Sequence, residues 1–232
     1  MKTETIIQQL RLYSDPERQE KSKTYFPTSM EVLGLKNQNV KDVIREIWPE
    51  IKGWDPDKLI AFTKELVATK IMECNHLAYE LLWKNKKALD LLKLSDLEQL
   101  GANIDNWATT DGFSVMLSGW AWRKNNISDA DVISWLESRS RWWRRAAVVS
   151  TVGLNLKSRG GVGDTKRTLM ICKKVIDDRD DMIVKALSWA LRELSKTDKP
   201  AVEGFLKYYR SRLAGRVVRE VTSKLETGLK NG

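Results

Sequence analysis

Histidine and cysteine are scarce in this sequence of 232 residues. His76 is the only histidine, and the two cysteines, Cys74 and Cys172, lie far apart along the chain. Because zinc and related metals are held by clusters of these side chains, we expect no metal site and no cofactor. The low cysteine content also favours a reducing compartment, in which both thiols are small core residues.

Long apolar runs are missing as well. No stretch approaches the ~20 apolar residues that a membrane span requires, so we expect no transmembrane helix. The segment from Met1 to Thr5 leads into polar residues and lacks the apolar core of a signal peptide, which favours a cytoplasmic location. The apolar fraction of 42% is typical of a folded chain, and we expect a single domain over residues 1–232.

The positive charge is concentrated in the second part of the chain. Residues 139–232 hold 22 Lys and Arg against 10 Asp and Glu, a formal charge of +12. Residues 1–138 hold 18 against 21, a formal charge of −3. Such an imbalance favours an anionic partner, which leaves nucleic acid, an anionic membrane surface and an acidic protein open. Charge that only keeps helix faces soluble would produce the same imbalance.

Helical patterns dominate, and no region alternates apolar and polar residues with a period of two. Asp55 and Pro56 form a helix start, Ser128 and Asp131 form another, and Ser95 followed by Glu98 is a capping-box pattern. The helices follow one another through short loops, a rhythm typical of helix-pair repeats of about 40 residues. We therefore predict an all-α HEAT-like solenoid with a basic concave face, and a compact helical bundle is the alternative.

Two tryptophans have informative neighbours among the ten in the chain. Trp107 and Asp111 are four residues apart, so they share one face of a helix. Trp189 has Lys185 four residues before it and Arg192 three residues after it, an arrangement suited to a sugar-phosphate ligand. A core tryptophan beside a capping aspartate, and an ordinary cation–π cluster, are the simpler interpretations of the two patterns.

A run of arginines between residues 139 and 145 is harder to explain by packing. It contains four arginines in seven residues, with Trp142 and Trp143 between them. Arginine forks match the geometry of phosphate oxygens, so the run indicates a nucleic-acid backbone contact, although a solvated charge run is the alternative.

At these places the sequence resembles the DNA alkylation repair family, the HEAT-like-repeat glycosylases of the AlkD type, from about Tyr25 to about Glu220. Trp107 and Asp111 match the family's catalytic pair, although Asn106 replaces an aromatic residue often found before them. The run at residues 185–193 matches a Lys-Ala-x-x-Trp-x-Leu-Arg-Glu motif, in which Trp189 takes the place of the second lesion-facing tryptophan. The resemblance also assigns DNA-contacting roles to Tyr25, Arg144, Arg145, Lys185, Arg192 and Arg216.

The resemblance implies hydrolysis of the N-glycosidic bond of purines alkylated at N3 or N7, in duplex DNA and without flipping of the base. A cationic base leaves without a general acid, so we expect a site without histidine. Asp111 would stabilise the cationic sugar and orient a water molecule, while Trp107 and Trp189 form electron-rich walls. The resemblance implies a cytoplasmic, nucleoid-associated, prokaryotic monomer whose partner is alkylated duplex DNA and not a membrane. A non-catalytic protein that binds distorted or branched DNA and a scaffold for an acidic protein are the alternatives.

Overall fold

The computed structural model of the protein describes residues 1–231, with Lys23 described by its backbone alone. Helices account for the regular structure of this part of the chain, and within it the only strand-like pairing is a parallel bridge between Glu31 and Ile71. The all-α prediction is confirmed. The chain divides into two compact units, Met1–Leu117 and Ser118–Gly232. The predictions of a single domain and of a solenoid with a basic concave face stay predictions.

The first unit packs its helices around an aliphatic core. Its helices are α1 (Thr3–Arg11), α2 (Pro16–Tyr25), α3 (Asn37–Ile51), α4 (Pro56–Ala68), α5 (Met72–Lys84), α6 (Lys86–Leu91), α7 (Leu94–Leu100) and α8 (Trp107–Phe113). Helix α5 is central, because it packs against α3, α4, α6 and α8. The boundary between the units falls within a π-helical segment, Ser114–Ser118.

The second unit also consists of helices. They are α9 (Gly119–Arg123), α10 (Asp129–Leu136), α11 (Arg141–Asn155), α12 (Thr165–Lys174), α13 (Asp181–Leu194), α14 (Lys199–Tyr209) and α15 (Gly215–Thr227), with a 3₁₀ turn at Lys157–Arg159. Helix α13 packs between α11 and α15 and makes its most extensive contacts with these two helices. The apolar face of α13, which includes Leu187 and Leu191, supplies much of this core.

Helix starts follow the polar residues that the sequence offers. Asp55 caps α4 by accepting a hydrogen bond from the Asp57 amide, with Pro56 as the first helical residue. Ser128 and Asp131 form the capping box of α10, as predicted. The capping box predicted from Ser95 and Glu98 is wrong in position. Helix α7 begins at Leu94, and the Asp96 carboxylate accepts the hydrogen bond from the Lys93 amide at 2.8 Å.

Both cysteines are buried free thiols, which confirms the prediction of two core residues. Burial raises the pKa of the Cys74 thiol to about 11 and raises that of Cys172 further still. Desolvation is the larger cause in both cases, because the thiolate loses its hydration in an apolar core. None of the helices within residues 1–231 is long and apolar enough to cross a membrane.

Candidate functional site

Helix α8 carries Trp107 and Asp111, and a buried asparagine fixes where this helix begins. The Asn106 side chain is fully buried and accepts a hydrogen bond from the Thr109 amide at 3.0 Å. The Asn106 carbonyl in turn accepts from the Thr110 hydroxyl at 2.7 Å. An aromatic residue at position 106 could not cap the helix in this way, so the departure noted in the sequence has a structural purpose.

Trp107 is the first residue of α8 and lies at the centre of an aromatic group. Its ring centroid is 5.4 Å from that of Tyr25 and 4.8 Å from that of Phe26. Trp107 is partly exposed, and Tyr25 is 65% exposed at the end of α2. The predicted N-terminal residue Tyr25 therefore contacts the predicted catalytic tryptophan directly.

Asp111 lies one turn after Trp107, and both side chains line the same pocket of about 600 Å³. Asp111 is partly exposed rather than enclosed in the core. The pocket mixes aromatic, cationic and carboxylate groups, including Tyr25, Phe26, Tyr79, Arg18, Lys21, Lys36 and His76. A carboxylate beside an indole in an accessible pocket can face a developing positive charge.

The expectation of a site without histidine is wrong. His76 lies on α5, which packs against α8, and it lines the pocket that contains Asp111. Sequence spacing gave no sign of this, because 35 residues separate His76 from Asp111 and only the packing of two helices brings them to one pocket.

Three cations at this pocket were also not assigned to the site from the sequence. Arg18, Lys21 and Lys36 line the pocket and are exposed. Arg18 donates from Nε to the Gly34 carbonyl at 3.1 Å, which ties α2 to the loop before α3. The spacing of Arg18, Lys21 and Tyr25 along one helical face is the signal that could have found two of them.

A carboxylate fastens the segment after Phe26 to the start of α8. Asp105 accepts hydrogen bonds from the hydroxyls of Thr28 and Ser29, from the Ser29 amide at 2.6 Å and from Asn106 Nδ2 at 3.1 Å. Burial raises the pKa of Asp105, but these hydrogen bonds together outweigh it and leave the pKa below its usual value. Asp105 thereby holds the aromatic segment next to Trp107.

A buried carboxylate on α5 also shapes the pocket. Glu73 accepts from the amides of Leu33 and Gly34, at 3.0 and 2.8 Å, and from that of Leu35 at 3.3 Å. Gly34 has a φ of +78°, and a Cβ there would lie 2.6 Å from the Asp15 carbonyl oxygen. The loop before α3 therefore depends on one glycine and one carboxylate.

The second unit presents the other predicted site residues on α11, α13 and α15. Trp189 is partly exposed on α13. Beside it, Ser188 donates to the buried Glu220 of α15 at 2.6 Å, and Arg192 Nε donates to the Ser188 hydroxyl at 3.2 Å. Burial lowers the pKa of Arg192, and the charge of Glu220 partly offsets this effect.

Two predicted phosphate-binding cations share one carboxylate. Asp181, the first residue of α13, lies 2.5 Å from Lys185 Nζ and 2.8 Å from Arg216 Nη1. The hydrogen bond from Lys185 is the main reason that the pKa of Asp181 lies below its usual value, with smaller contributions from the charges of Arg216 and Arg145. Two of the six side chains predicted to contact DNA, Lys185 and Arg216, therefore pair with Asp181.

The two adjacent arginines of α11 have different surroundings. Arg145 is only 5% exposed, and its Nη1 donates to the Met182 carbonyl at 2.6 Å. Arg144 donates to the Ser138 carbonyl at 3.1 Å and lies 3.5 Å from the Asp178 carboxylate. Arg145 thus supports the start of α13, and its role toward DNA stays a prediction.

Within residues 1–231, no group of three or more His, Cys, Asp and Glu side chains could hold a metal ion. The groups that define the candidate site are therefore carboxylates, aromatic rings and cations.

The sequence profile of a family described as DNA alkylation repair enzyme matches residues 6–225. A search of curated proteins finds no significant match. Among solved structures, one described as a "predicted DNA alkylation repair enzyme from Enterococcus faecalis" superimposes with a TM-score of 0.71. It shares 18% sequence identity, over 92% of this chain and 97% of the other. At that identity the likeness shows a common fold.

Proposed function

This chain belongs to the DNA alkylation repair enzyme family, and from this premise we propose that it is a DNA glycosylase that removes alkylated purines from duplex DNA. Membership supports an enzymatic role in the repair of alkylated DNA. The observation that carries the finer proposal is the accessible carboxylate of Asp111, which lines one pocket together with Trp107.

The proposed reaction is hydrolysis of the bond between C1′ of the deoxyribose and the purine nitrogen. Alkylation at N3 or N7 gives the base a positive charge. When the C1′–N bond breaks, its electron pair leaves with the base and neutralises that charge, so no proton donor is needed. The sugar becomes an oxocarbenium-like cation, and the oxygen of a water molecule then bonds to C1′ while the water loses a proton.

Asp111 acts on the sugar in this scheme. Its carboxylate stabilises the positive charge that develops at C1′, orients the attacking water and accepts the proton that the water releases. Because only the transition state carries this charge on the sugar, the interaction accelerates the reaction rather than simply tightening binding.

Trp107 is proposed as an electron-rich wall for the deoxyribose and the cationic lesion, and Trp189 keeps its predicted role as an electron-rich ring toward the lesion. The exposed Tyr25 ring, in contact with Trp107, extends the wall in the first unit. Lys185, Arg192 and Arg216 would contact phosphates, together with Arg144 and Arg145. We expect the lesion to stay stacked in the duplex, so that selectivity comes from its charge and its weakened bond rather than from a base-binding pocket.

Incubation with duplex DNA that contains 7-methylguanine, followed by analysis of the released bases, tests the proposal. The wild-type protein should release 7-methylguanine and leave abasic sites. Asp111→Asn should release it at least about 10²-fold more slowly, because a carboxylate-dependent step of this kind contributes a few kcal/mol. DNA affinity should be unchanged.

Glu98→Gln is the matched control, because it removes one exposed carboxylate of the same unit from α7, outside the pocket. That variant should keep wild-type base release. Release by Asp111→Asn at the wild-type rate would remove Asp111 from the mechanism. Duplex binding without any base release by the wild-type protein would favour a non-catalytic DNA-binding protein, and salt-insensitive or absent binding would favour a protein scaffold.

A further inference from the structure

Two of the cations predicted to contact DNA, Lys185 and Arg216, are already paired with a carboxylate in the structure. Lys185 and Arg216 both contact Asp181, and the charge of Arg145 also acts on the same carboxylate. A phosphate group presents oxygen acceptors of the same kind as a carboxylate, so the two compete for these donors. DNA phosphates that engage Lys185 and Arg216 therefore compete with Asp181 for these donors.

Burial separates Asp181 from the other carboxylate of this region. The Glu220 side chain is 6% exposed and is held by Ser188, with Arg216 Nε at 3.3 Å. The Asp181 side chain is 57% exposed. Glu220 therefore holds the Arg216 side chain close to α15 whether or not DNA is bound. The exposed Asp181 side chain can instead turn toward solvent when a phosphate binds.

We propose that Asp181 is a displaceable counter-ion that occupies the phosphate-binding positions of Lys185 and Arg216 and limits affinity for undamaged duplex DNA. This inference rests on the proposed function, because it needs the cations to bind DNA. The consequence concerns how the protein searches DNA for damaged bases. Backbone contacts carry no information about the lesion, so weakening them shortens the time spent on normal DNA.

The test is the affinity of Asp181→Asn for an unmodified duplex, measured across a range of salt concentrations. Asparagine keeps the size of the side chain and removes its charge. Exposed ion pairs are weak, so freeing two cations should tighten binding roughly two- to tenfold at low salt. The slope of log K against log salt should become steeper by about 1, because the wild-type carboxylate gains a cation when DNA displaces it.

Asp177→Asn is the matched control. Asp177 lies in the loop just before α13, is exposed, and pairs with Arg212 rather than with a predicted DNA contact. It reports the effect of removing one negative charge and freeing one arginine nearby. Asp181→Asn should exceed it, and the excess should vanish when Lys185→Gln and Arg216→Gln are also present.

The outcomes separate the two proposals. If the wild-type protein fails to bind duplex DNA, the proposed function is wrong. If it binds, and Asp181→Asn matches the wild type or the Asp177→Asn control, the counter-ion proposal is overturned. Weaker binding by Asp181→Asn would overturn it as well, since the carboxylate would then be arranging the two cations for DNA.

Discussion

The two units of the molecule differ in charge, and the carboxylates beside their predicted site residues differ in their partners. Met1–Leu117 contains 16 Lys and Arg against 18 Asp and Glu, a formal charge of −2, while the remainder contains 24 against 13, a charge of +11. In the first unit, Asp105 and Glu73 accept mainly backbone and hydroxyl hydrogen bonds that shape a pocket. In the second, Asp181 and Glu220 pair with cations. We therefore expect that mutations in the two units can change the rate of base release and the affinity for duplex DNA separately.

The largest of the following effects should come from Arg145, which lies in the basic unit but is buried. Arg145→Ala leaves the Met182 carbonyl without this donor and should lower the free energy of unfolding by about 1–3 kcal/mol. We also expect weaker DNA binding, with a salt slope shallower by about 1. Denaturant unfolding and salt titration measure the two effects.

Arg141→Ala is the comparison for that variant. Arg141 begins the same helix, its side chain is 54% exposed, and it pairs with Asp180. Its loss should change stability by less than about 0.5 kcal/mol. An unchanged salt slope in Arg145→Ala, alongside lower stability, would make Arg145 a structural residue only.

Lys185→Gln combined with Arg216→Gln should lower stability by less than about 1 kcal/mol, because both side chains are partly exposed and the buried Glu220 keeps Ser188 as a donor when Arg216 is lost. Duplex affinity should fall roughly tenfold, about 1.4 kcal/mol, and the salt slope should become shallower by about 1, because the two lost phosphate contacts are partly offset by the cation that Asp181 no longer takes up. Base release at saturating DNA should match the wild type, so that only the half-saturating concentration changes.

Lys207→Gln with Arg210→Gln removes the same two positive charges from exposed positions at the end of α14. This pair should weaken binding much less. Equal losses in the two double variants would mean that overall charge, rather than the surface around α13, determines affinity, and the contrast between the units would lose its basis.

The smallest effect concerns Asp105 in the first unit. Its pKa is lowered in the folded state, so its contribution to stability is present above about pH 4 and is lost as the pH falls through the folded-state pKa. Asp105→Asn should reduce stability at neutral pH by less than about 1 kcal/mol, because solvent screens the partly exposed carboxylate.

Unfolding measured between pH 2 and pH 7 checks this, since the variant should lose less stability than the wild type on acidification. Parallel pH profiles for the two proteins would mean that the hydrogen bonds of Asp105 are not linked to folding.

Local signals in the sequence predicted much of the fold. The start of α10 at Ser128 and Asp131 and that of α4 at Pro56 depend on side chains within three residues of the helix, so spacing alone identifies them. The predicted start of α7 was wrong because Ser95 and Asp96 both offer a capping oxygen. Only the structure shows that Asp96 accepts the hydrogen bond at the start of this helix.

The candidate site was less accessible to sequence reasoning. Trp107 and Asp111 share a face through helical periodicity, which is a local property. His76 joins their pocket through the packing of α5 on α8, and Asp181 meets Arg216 across 35 residues. A sequence also does not distinguish an arginine that faces phosphate from one that binds a carbonyl, so the burial of Arg145 was not predicted.

The cap at Asn106 has a consequence for how the chain tolerates changes in length. An α-helix turns by about 100° per residue, so one residue inserted between Trp107 and Asp111 would rotate the carboxylate away from the indole. A residue added in the loop before Asp105 would leave their angular relation intact, because the helix would still begin at the asparagine. Variation in loop length can therefore accumulate around this pair, while the four-residue interval inside it stays fixed.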